Sequence, residues 1–338
     1  MRPTKKKSIW KKLLVGCGTL LVTLLAIVVG LAIWLSPGKD KMDSLYHPFK
    51  SERAQKQYLA LYDAKAKKWP VSSQTKMVDT SFGTTFVRIS GPENAPALVL
   101  LHGAGGNSLQ WLPNIAALSQ RCTVYAVDNI YDYGRSVYRA PITGAADYVV
   151  WLHELLEALG LGGHLNMVGL SYGGWITCRY ALQFPDTLNK IVLLAPAGTV
   201  LPLSSAWIIH AVPCALPFRF FTKNFLHWLL ADLARQGEAG RALLEEHIDE
   251  SFLAIRSFKT KSLVNPTVLT DAELQSLKVP ALFIVGENEK IYSPRAAIAR
   301  LHQVAPRIHT KLIPAAGHDL TMVQAEMVNK AVLEFLSQ

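Results

Sequence analysis

Gly169-Leu170-Ser171-Tyr172-Gly173 constrains the fold of this chain more than any other stretch. Ahead of it, Leu165-Asn166-Met167-Val168 is a short apolar run of strand length. Behind it, Gly174 to Leu182 carries apolar residues at helical spacing and stops before Pro185. A strand, one serine between glycines and a helix make a sharp elbow. Strand and helix approach so closely that side chains are excluded at the flanking positions, and the serine is left at the tip. Its hydroxyl is exposed there, beside a helix N-terminus that favours negative charge. By itself G-x-S-x-G also fits an ordinary turn. The strand and helix on either side make Ser171 a candidate nucleophile.

The rest of the chain alternates in the same way. Lys76 to Thr80 and Thr84 to Ser90 are predicted strands joined around Phe82-Gly83. Ala97 to Leu101, after Pro96, is nearly continuous apolar sequence and suits a buried central strand. A glycine-rich loop, His102-Gly103-Ala104-Gly105-Gly106-Asn107, follows it and leads into a helix from Trp111 to Leu118. Cys122 to Asp128 is a further predicted strand. Ala145 to Leu159 is an amphipathic helix with Val149, Leu152, Leu155, Leu156 and Leu159 in register. After the elbow, the strands Lys190–Ala195, Ala281–Val285 and Ile308–Ile313 alternate with helices over Ser293–Val304 and Leu320–Leu336. This pattern predicts an α/β fold, a mostly parallel sheet with helices on both faces.

One stretch breaks the alternation. Thr199 to about Leu269 has no clear strand and is rich in large apolar residues, among them Trp207, Phe218, Phe221 and Trp228. It lies between two core strands, so it is an insertion at about 199–270, placed to cover the serine as a helical cap. Most of its apolar residues are needed to hold the cap down. A few are expected to line a pocket for an apolar group.

Half of the 338 residues are hydrophobic, enough for a sizeable core. The net charge of +10 raises nucleic acid as a partner. However, Arg2, Lys5, Lys6, Lys7, Lys11 and Lys12 supply six of those charges with no acid among them. The basic excess is mostly a tail, residues 1–12, and no nucleic-acid partner is expected. Cys17, Cys122, Cys178 and Cys214 have no metal-like spacing. Cys122 and Cys178 fall in predicted core elements, as buried thiols.

From Leu13 to Leu35 there is no charged residue, a length sufficient to cross a bilayer as a helix. A cleaved signal peptide would have a shorter apolar region ending in small residues, whereas this run ends Ala32-Ile33-Trp34-Leu35. Leu14-Val15-Gly16-Cys17 mimics a lipoprotein cleavage box, but the apolar stretch follows the cysteine instead of preceding it. The expectation is an uncleaved single transmembrane anchor over 13–35. The basic residues ahead of it place the N-terminus in the cytoplasm and the catalytic domain outside it. Residues 36–75 read as a polar connector. Within it, Gln55 to Lys68 is a predicted helix with Tyr58, Leu61 and Tyr62 on one side, packing on the domain or lying on lipid headgroups.

With these features in hand, residues 76–338 resemble the α/β-hydrolase superfamily. The likeness rests on His102-Gly103-Ala104-Gly105-Gly106, Asp128 through Gly134-Arg135-Ser136, the elbow, Gly286-Glu287-Asn288-Glu289 and Gly317-His318-Asp319. Together these are specific for the superfamily and much less so for a substrate. An anchor ahead of a capped hydrolase is similar to some membrane-anchored bacterial carboxylesterases and monoacylglycerol-lipase-type enzymes.

Chemistry assigns expected roles. A serine hydroxyl is a poor nucleophile until a base takes its proton. His318, after the last strand, is the candidate base, since a loop there can return to the elbow. The resemblance implies that His102 braces the glycine loop; His210 and His227 sit in the cap and are minor candidates. The imidazole needs a carboxylate to fix its tautomer and stabilise its charged form. The superfamily places that acid after either of two strands. Between Lys190 and Asp232 there is no Asp or Glu, which removes the earlier place. The later place offers Glu287 and Glu289. The family pattern, third after Gly286, implies Glu289, where most members carry Asp. A solvated loop glutamate is the alternative. Two backbone N–H groups must face the developing oxyanion. Tyr172, next to the nucleophile, supplies one, and Ala104 is the implied second.

The reading is a serine hydrolase that cleaves carboxylic esters, hydrophobic or lipid-like, through an acyl-enzyme, with no metal and no cofactor. C–C bond hydrolases, amidases and thioesterases share the machinery and stay open as alternatives. So does an inactive membrane-tethered binding module. Epoxide hydrolases and dehalogenases of this shape need an aspartate where Ser171 stands.

Overall fold

The computed structural model describes residues 48–259 and 263–338. The predicted tail and the predicted span at 13–35 lie outside the described residues, as does the first part of the connector. Among the described residues no helix is long and apolar enough to cross a membrane.

The apolar runs assemble into one nine-stranded sheet. Its strands are β1 (Ser73–Thr80), β2 (Gly83–Ser90), β3 (Ala97–Leu101), β4 (Thr123–Val127), β5 (Val137–Tyr138), β6 (Leu165–Leu170), β7 (Leu188–Leu194), β8 (Ala281–Gly286) and β9 (His309–Ile313). Their spatial order is β1-β2-β4-β3-β6-β7-β8-β9, with β5 added to β2. The pairs β1–β2, β2–β4 and β2–β5 are antiparallel. From β4 to β9 every pair is parallel. Strands β6 and β8 are buried at every residue, as parallel strands covered on both faces must be.

The helices joining these strands are α1 (Glu52–Ala66) ahead of the sheet, α2 (Leu112–Leu118), α3 (Ala145–Ala158) and α4 (Tyr172–Gln183). Between β7 and β8 come α5 (Ser205–Ala211), α6 (Arg219–Leu229), α7 (Ala231–Arg235), α8 (Gly237–Ser257) and α9 (Asp271–Ser276). The last three are α10 (Pro294–Val304), α11 (Leu320–Val323) and α12 (Ala325–Ser337). From β3 the chain steps one way to β4, then crosses back past β3 to β6 and continues to β9. Right-handed crossovers therefore put α2 on one face and α3, α4 and α10 on the other. Consistent with this, α12 packs on α2 while α3 packs on α4. The direction reverses between β3 and β6, where Leu101 lies opposite Gly169. The carboxyl ends of two such strands open a crevice in sheets of this kind.

Two expectations need correction. The helix predicted over Leu320–Leu336 is two helices, because the backbone of Gln324 (φ −129°, ψ 39°) leaves the helical region and ends α11. The two-residue strand β5 was not predicted, being too short to show a period.

The cap region is helical throughout its regular elements among the described residues. Leu226, Leu230, Leu233, Leu244 and Ile248 give it a small apolar cluster of its own. Cys122, Cys178 and Cys214 are free and buried.

Helix α1 packs on the domain. Ser51 caps it, accepting from the Ala54 N–H at 3.2 Å. Tyr58 and Tyr62 are buried. The Tyr62 hydroxyl donates to Asp128 Oδ2 (3.1 Å) and lies 3.1 Å from Ser108 Oγ. Asn107 Nδ2 donates to the Tyr58 hydroxyl (3.2 Å), and Lys65 pairs with Glu250 of α8 at 2.6 Å. Asp128 also accepts from the Ser108 and Arg135 N–H groups at 2.7 and 2.8 Å. Replacing Tyr62 by Phe removes one donor from a buried carboxylate that keeps others. The expected cost is about 1–2 kcal/mol in urea unfolding. No change there would mean that α1 rests on the domain by apolar contact alone.

Candidate active site

Strand β6 ends at Leu170 and α4 begins at Tyr172, so one residue makes the whole turn. Ser171 does so at φ 52°, ψ −113°, a left-handed conformation that costs a non-glycine residue free energy. The elbow is held from both sides. The Ser171 N–H donates to the Leu194 carbonyl (2.8 Å), and the Ser171 carbonyl accepts from the Ala197 and Trp175 N–H groups at 3.0 and 3.2 Å. A Cβ at Gly173 would lie 2.2 Å from the Leu101 carbonyl oxygen and 2.7 Å from that of His102. Both obstacles are backbone and cannot swing aside. Gly173→Ala is therefore expected to destabilise the protein by about 3 kcal/mol. Wild-type stability in this variant, read by urea unfolding, would contradict the tight elbow.

The glycine loop after β3 lies against the serine. A Cβ at Gly103 would sit 3.3 Å from Ser171 Cβ. His102 is fully buried and braces this loop: its Nδ1–H donates to the Gly103 carbonyl (2.8 Å) and its Nε2 accepts from the Asn129 N–H (2.9 Å). Those two bonds use both ring nitrogens. Gln110 Oε1 accepts from the Gly103 N–H at 2.9 Å, and Asp132 accepts from the Gly105 N–H at 3.0 Å. Between these two braces, Ala104 is exposed, and its N–H donates to no described residue. Tyr172 is the first residue of α4, where an N–H has no carbonyl one turn back. Its side chain is occupied elsewhere, donating from the hydroxyl to the Val264 carbonyl at 2.7 Å.

After β8, Glu289 turns inward. Its side chain is fully buried, and Oε1 accepts from the Lys290 and Ile291 N–H groups at 2.8 and 3.0 Å. Oε2 accepts from His318 Nδ1–H at 2.9 Å. Glu287, two residues earlier, is exposed and faces Arg295 at 3.4 Å. Burial disfavours the Glu289 carboxylate, but His318 and the two N–H groups overcome it and hold the group below its ordinary value. Burial likewise disfavours the His318 imidazolium. The Glu289 charge and hydrogen bond outweigh it, with a further contribution from Asp319, and raise His318 above its ordinary value. With the proton fixed on Nδ1, the Nε2 lone pair is free to act as a base. Ser171 is 9% exposed, and its hydroxyl makes no hydrogen bond among the described residues. The two cap histidines are engaged elsewhere. His210 stacks on Trp228 at 4.7 Å, and His227 lies 3.8 Å from Glu245. Among the described residues no group of acidic, histidine and cysteine side chains could hold a metal ion.

Gln110 and Asp132 escaped the sequence reading. Each holds the glycine loop from outside it, and only Asp132 lies in a stretch that had drawn notice.

The profile of the alpha/beta hydrolase family matches residues 98–331. The chain belongs to that family. It is also 34% identical over 287 residues to an uncharacterized carboxylesterase, nap, of Bacillus subtilis, covering 83% of this chain and 92% of the relative. Carboxylesterase YbfK of the same organism is 33% identical over 282 residues, covering 81% and 92%. Among solved structures, the naproxen esterase (carboxylesterase NP) of Bacillus subtilis superposes with a TM-score of 0.78 at 32% identity, over 85% of this chain and 99% of that one. Within this family, Ser171 occupies the strand-to-helix elbow of the hydrolase sheet, and the Glu289–His318 pair comes from the loops after β8 and β9. The parallel register of β6 through β9 brings all three loops to one edge of the sheet.

Proposed function

We propose that this chain is a carboxylic ester hydrolase in which Ser171 is the nucleophile, His318 the base and Glu289 the acid that orients it. The observation carrying the reading is the 2.9 Å bond between His318 Nδ1 and a fully buried Glu289 carboxylate, on the sheet edge that presents the elbow. His318 Nε2 takes the serine proton as Ser171 Oγ attacks the ester carbonyl. The N–H groups of Ala104 and Tyr172 receive the oxyanion. His318 then returns the proton to the leaving alkoxide, and the acyl-enzyme forms. In the second half His318 takes a proton from water as the water oxygen attacks the acyl carbon; the acyl–serine bond then breaks, the proton passes from His318 to Ser171 Oγ, and the acid leaves. A free Ser171 hydroxyl fits a site that tightens only around substrate. The similarity to Bacillus carboxylesterases supports an ester over an amide or a C–C bond.

Hydrophobic or lipid-like esters are the proposed substrates. The apolar cap supports this, since it leaves Ile208, Ile209, Val212, Phe218 and Phe220 each more than half exposed. A membrane anchor at 13–35 belongs to the same proposal and rests on the uncharged run, and its orientation, N-terminus cytoplasmic, rests on the basic residues ahead of it. A panel of p-nitrophenyl esters of short and medium chain tests the activity. Turnover of at least one, lost in Ser171→Ala, is expected; no turnover of any would sink the reading. Membrane fractionation with protease accessibility tests the anchor, and protein found entirely in the soluble fraction would remove it.

A further inference from the structure

Two buried aspartates lie beside the Glu289–His318 pair without belonging to it. Asp319 follows the histidine and has no solvent exposure. Its Oδ1 accepts from the Gly317 N–H at 3.1 Å, folding back across the histidine turn. Its Oδ2 reaches into the cap and accepts from the Leu233 N–H of α7 at 2.7 Å. Asp232, the neighbouring cap residue, is 8% exposed. It accepts from Asn288 Nδ2 at 3.1 Å on each oxygen and from Arg235 at 2.6 Å. Asn288 precedes Glu289, and its N–H donates to the Ala316 carbonyl (2.8 Å), two residues before His318. A Cβ on Gly317 would come within 3.2 Å of Asp232 Oδ2, so the cap carboxylate presses directly on the histidine turn. On the other side of Glu289, Lys290 Nζ donates to the Trp228 carbonyl at the end of α6 (2.8 Å).

The cap thus grips the residues on both sides of Glu289 and the residue after His318. Burying two like charges side by side is costly, and apolar contacts would fasten a cap without that cost. Hydrogen bonds to carboxylates do what apolar contacts cannot: they fix direction as well as distance.

We propose that Asp319 and Asp232 are positioning residues that lock the His318 and Glu289 loops to the cap, so that displacing α7 from Asp319 lowers the rate of the chemical step. They act through the imidazole and its acid, not on the ester. The inference rests on the triad reading above.

The full chain in detergent, with p-nitrophenyl butyrate as substrate and sites counted by fluorophosphonate labelling carried to completion, provides the test. Asp319→Asn sets an amide N–H against a backbone N–H donor. Its kcat per site is expected to fall about 10- to 100-fold, with KM within about twofold of wild type. Asn288→Ala cuts only the link to Asp232 and should lower kcat less, at unchanged thermal stability. The double variant should lose less than the product of the two, because both links serve one lock. If kcat per site stays at the wild-type value in both single variants, or if the loss falls on KM or on the number of sites alone, the lock is overturned. Should Asp319→Asn fail to fold, Asn288→Ala decides by the same kcat criterion. His318→Ala is run alongside. If it turns over ester like wild type, the triad reading falls and takes the lock with it. If it is inactive while both single variants run at full speed, only the lock falls.

Discussion

Ser171→Ala is expected to lose about a million-fold in ester turnover and all fluorophosphonate labelling at that position. Its folded state should be nearly unchanged, within about 0.5 kcal/mol, because alanine meets the same left-handed backbone restriction as serine. Ser171→Gly makes the sharper comparison. Glycine reaches φ 52° without a Cβ penalty, so this variant should be as inactive as Ser171→Ala and more stable by about 1–3 kcal/mol. A protein that gains stability by losing its nucleophile shows that the elbow stores strain for the chemistry. Undiminished turnover in either variant would place the nucleophile elsewhere.

Glu289→Gln is expected to lower turnover about ten-thousand-fold, since the amide can support the wrong imidazole tautomer. The pH dependence carries a second signature. The base must be neutral, so wild-type kcat/KM falls on the acid side as His318 takes up a proton. His318 is held above its ordinary value, so the midpoint of that limb should lie above about 6.5. In the Gln variant the carboxylate is gone and burial, which disfavours the imidazolium, remains. The midpoint should therefore move down. Stability runs differently. His318, raised in the folded state, contributes fully below its unfolded pKa of about 6.5 and loses the contribution as pH rises through the folded value. Glu289, lowered in the folded state, contributes above its unfolded pKa of about 4.3 and loses the contribution as pH falls through the folded value. The pair thus stabilises the fold most between about 4.3 and 6.5, on the acid side of the pH at which it is expected to work. Thermal unfolding and kcat/KM measured across the same buffers should show the two optima apart; coincident optima would contradict the coupling.

The central fold was legible because β3, β6 and β8 are buried at nearly every residue and their sequences are mostly apolar. Ala97–Leu101 has the same boundaries in the sequence reading and in the structure. The elbow was legible because glycines bracket a lone serine between a strand and a helix. The pairing of Glu289 with His318 was not available from local chemistry. Glu287 and Glu289 sit in one loop, and only the family pattern preferred the second. The structure separates them by environment, one exposed beside Arg295 and one buried under two backbone N–H donors. The cap's apolar content marked it as an insertion, but apolar content alone does not reveal where α5 to α8 begin and end. Asp319 stood in the sequence only as part of the Gly317-His318-Asp319 match and Asp232 only as the end of an acid-free stretch; the link each makes between cap and loop did not show, because those partners are distant in sequence, Leu233 and Asp319 being 86 residues apart. The tyrosines of α1 showed their common side in the sequence, while the carboxylate awaiting Tyr62 lies 66 residues further on.

That helix has a mechanical consequence. Tyr58 meets Asn107 and Tyr62 meets Ser108, both immediately beyond the turn that presents Ala104, while Lys65 holds the long cap helix. A load on the chain at Pro48 would travel along α1 to the far end of the glycine loop and to the cap together, so the two would shift as one body.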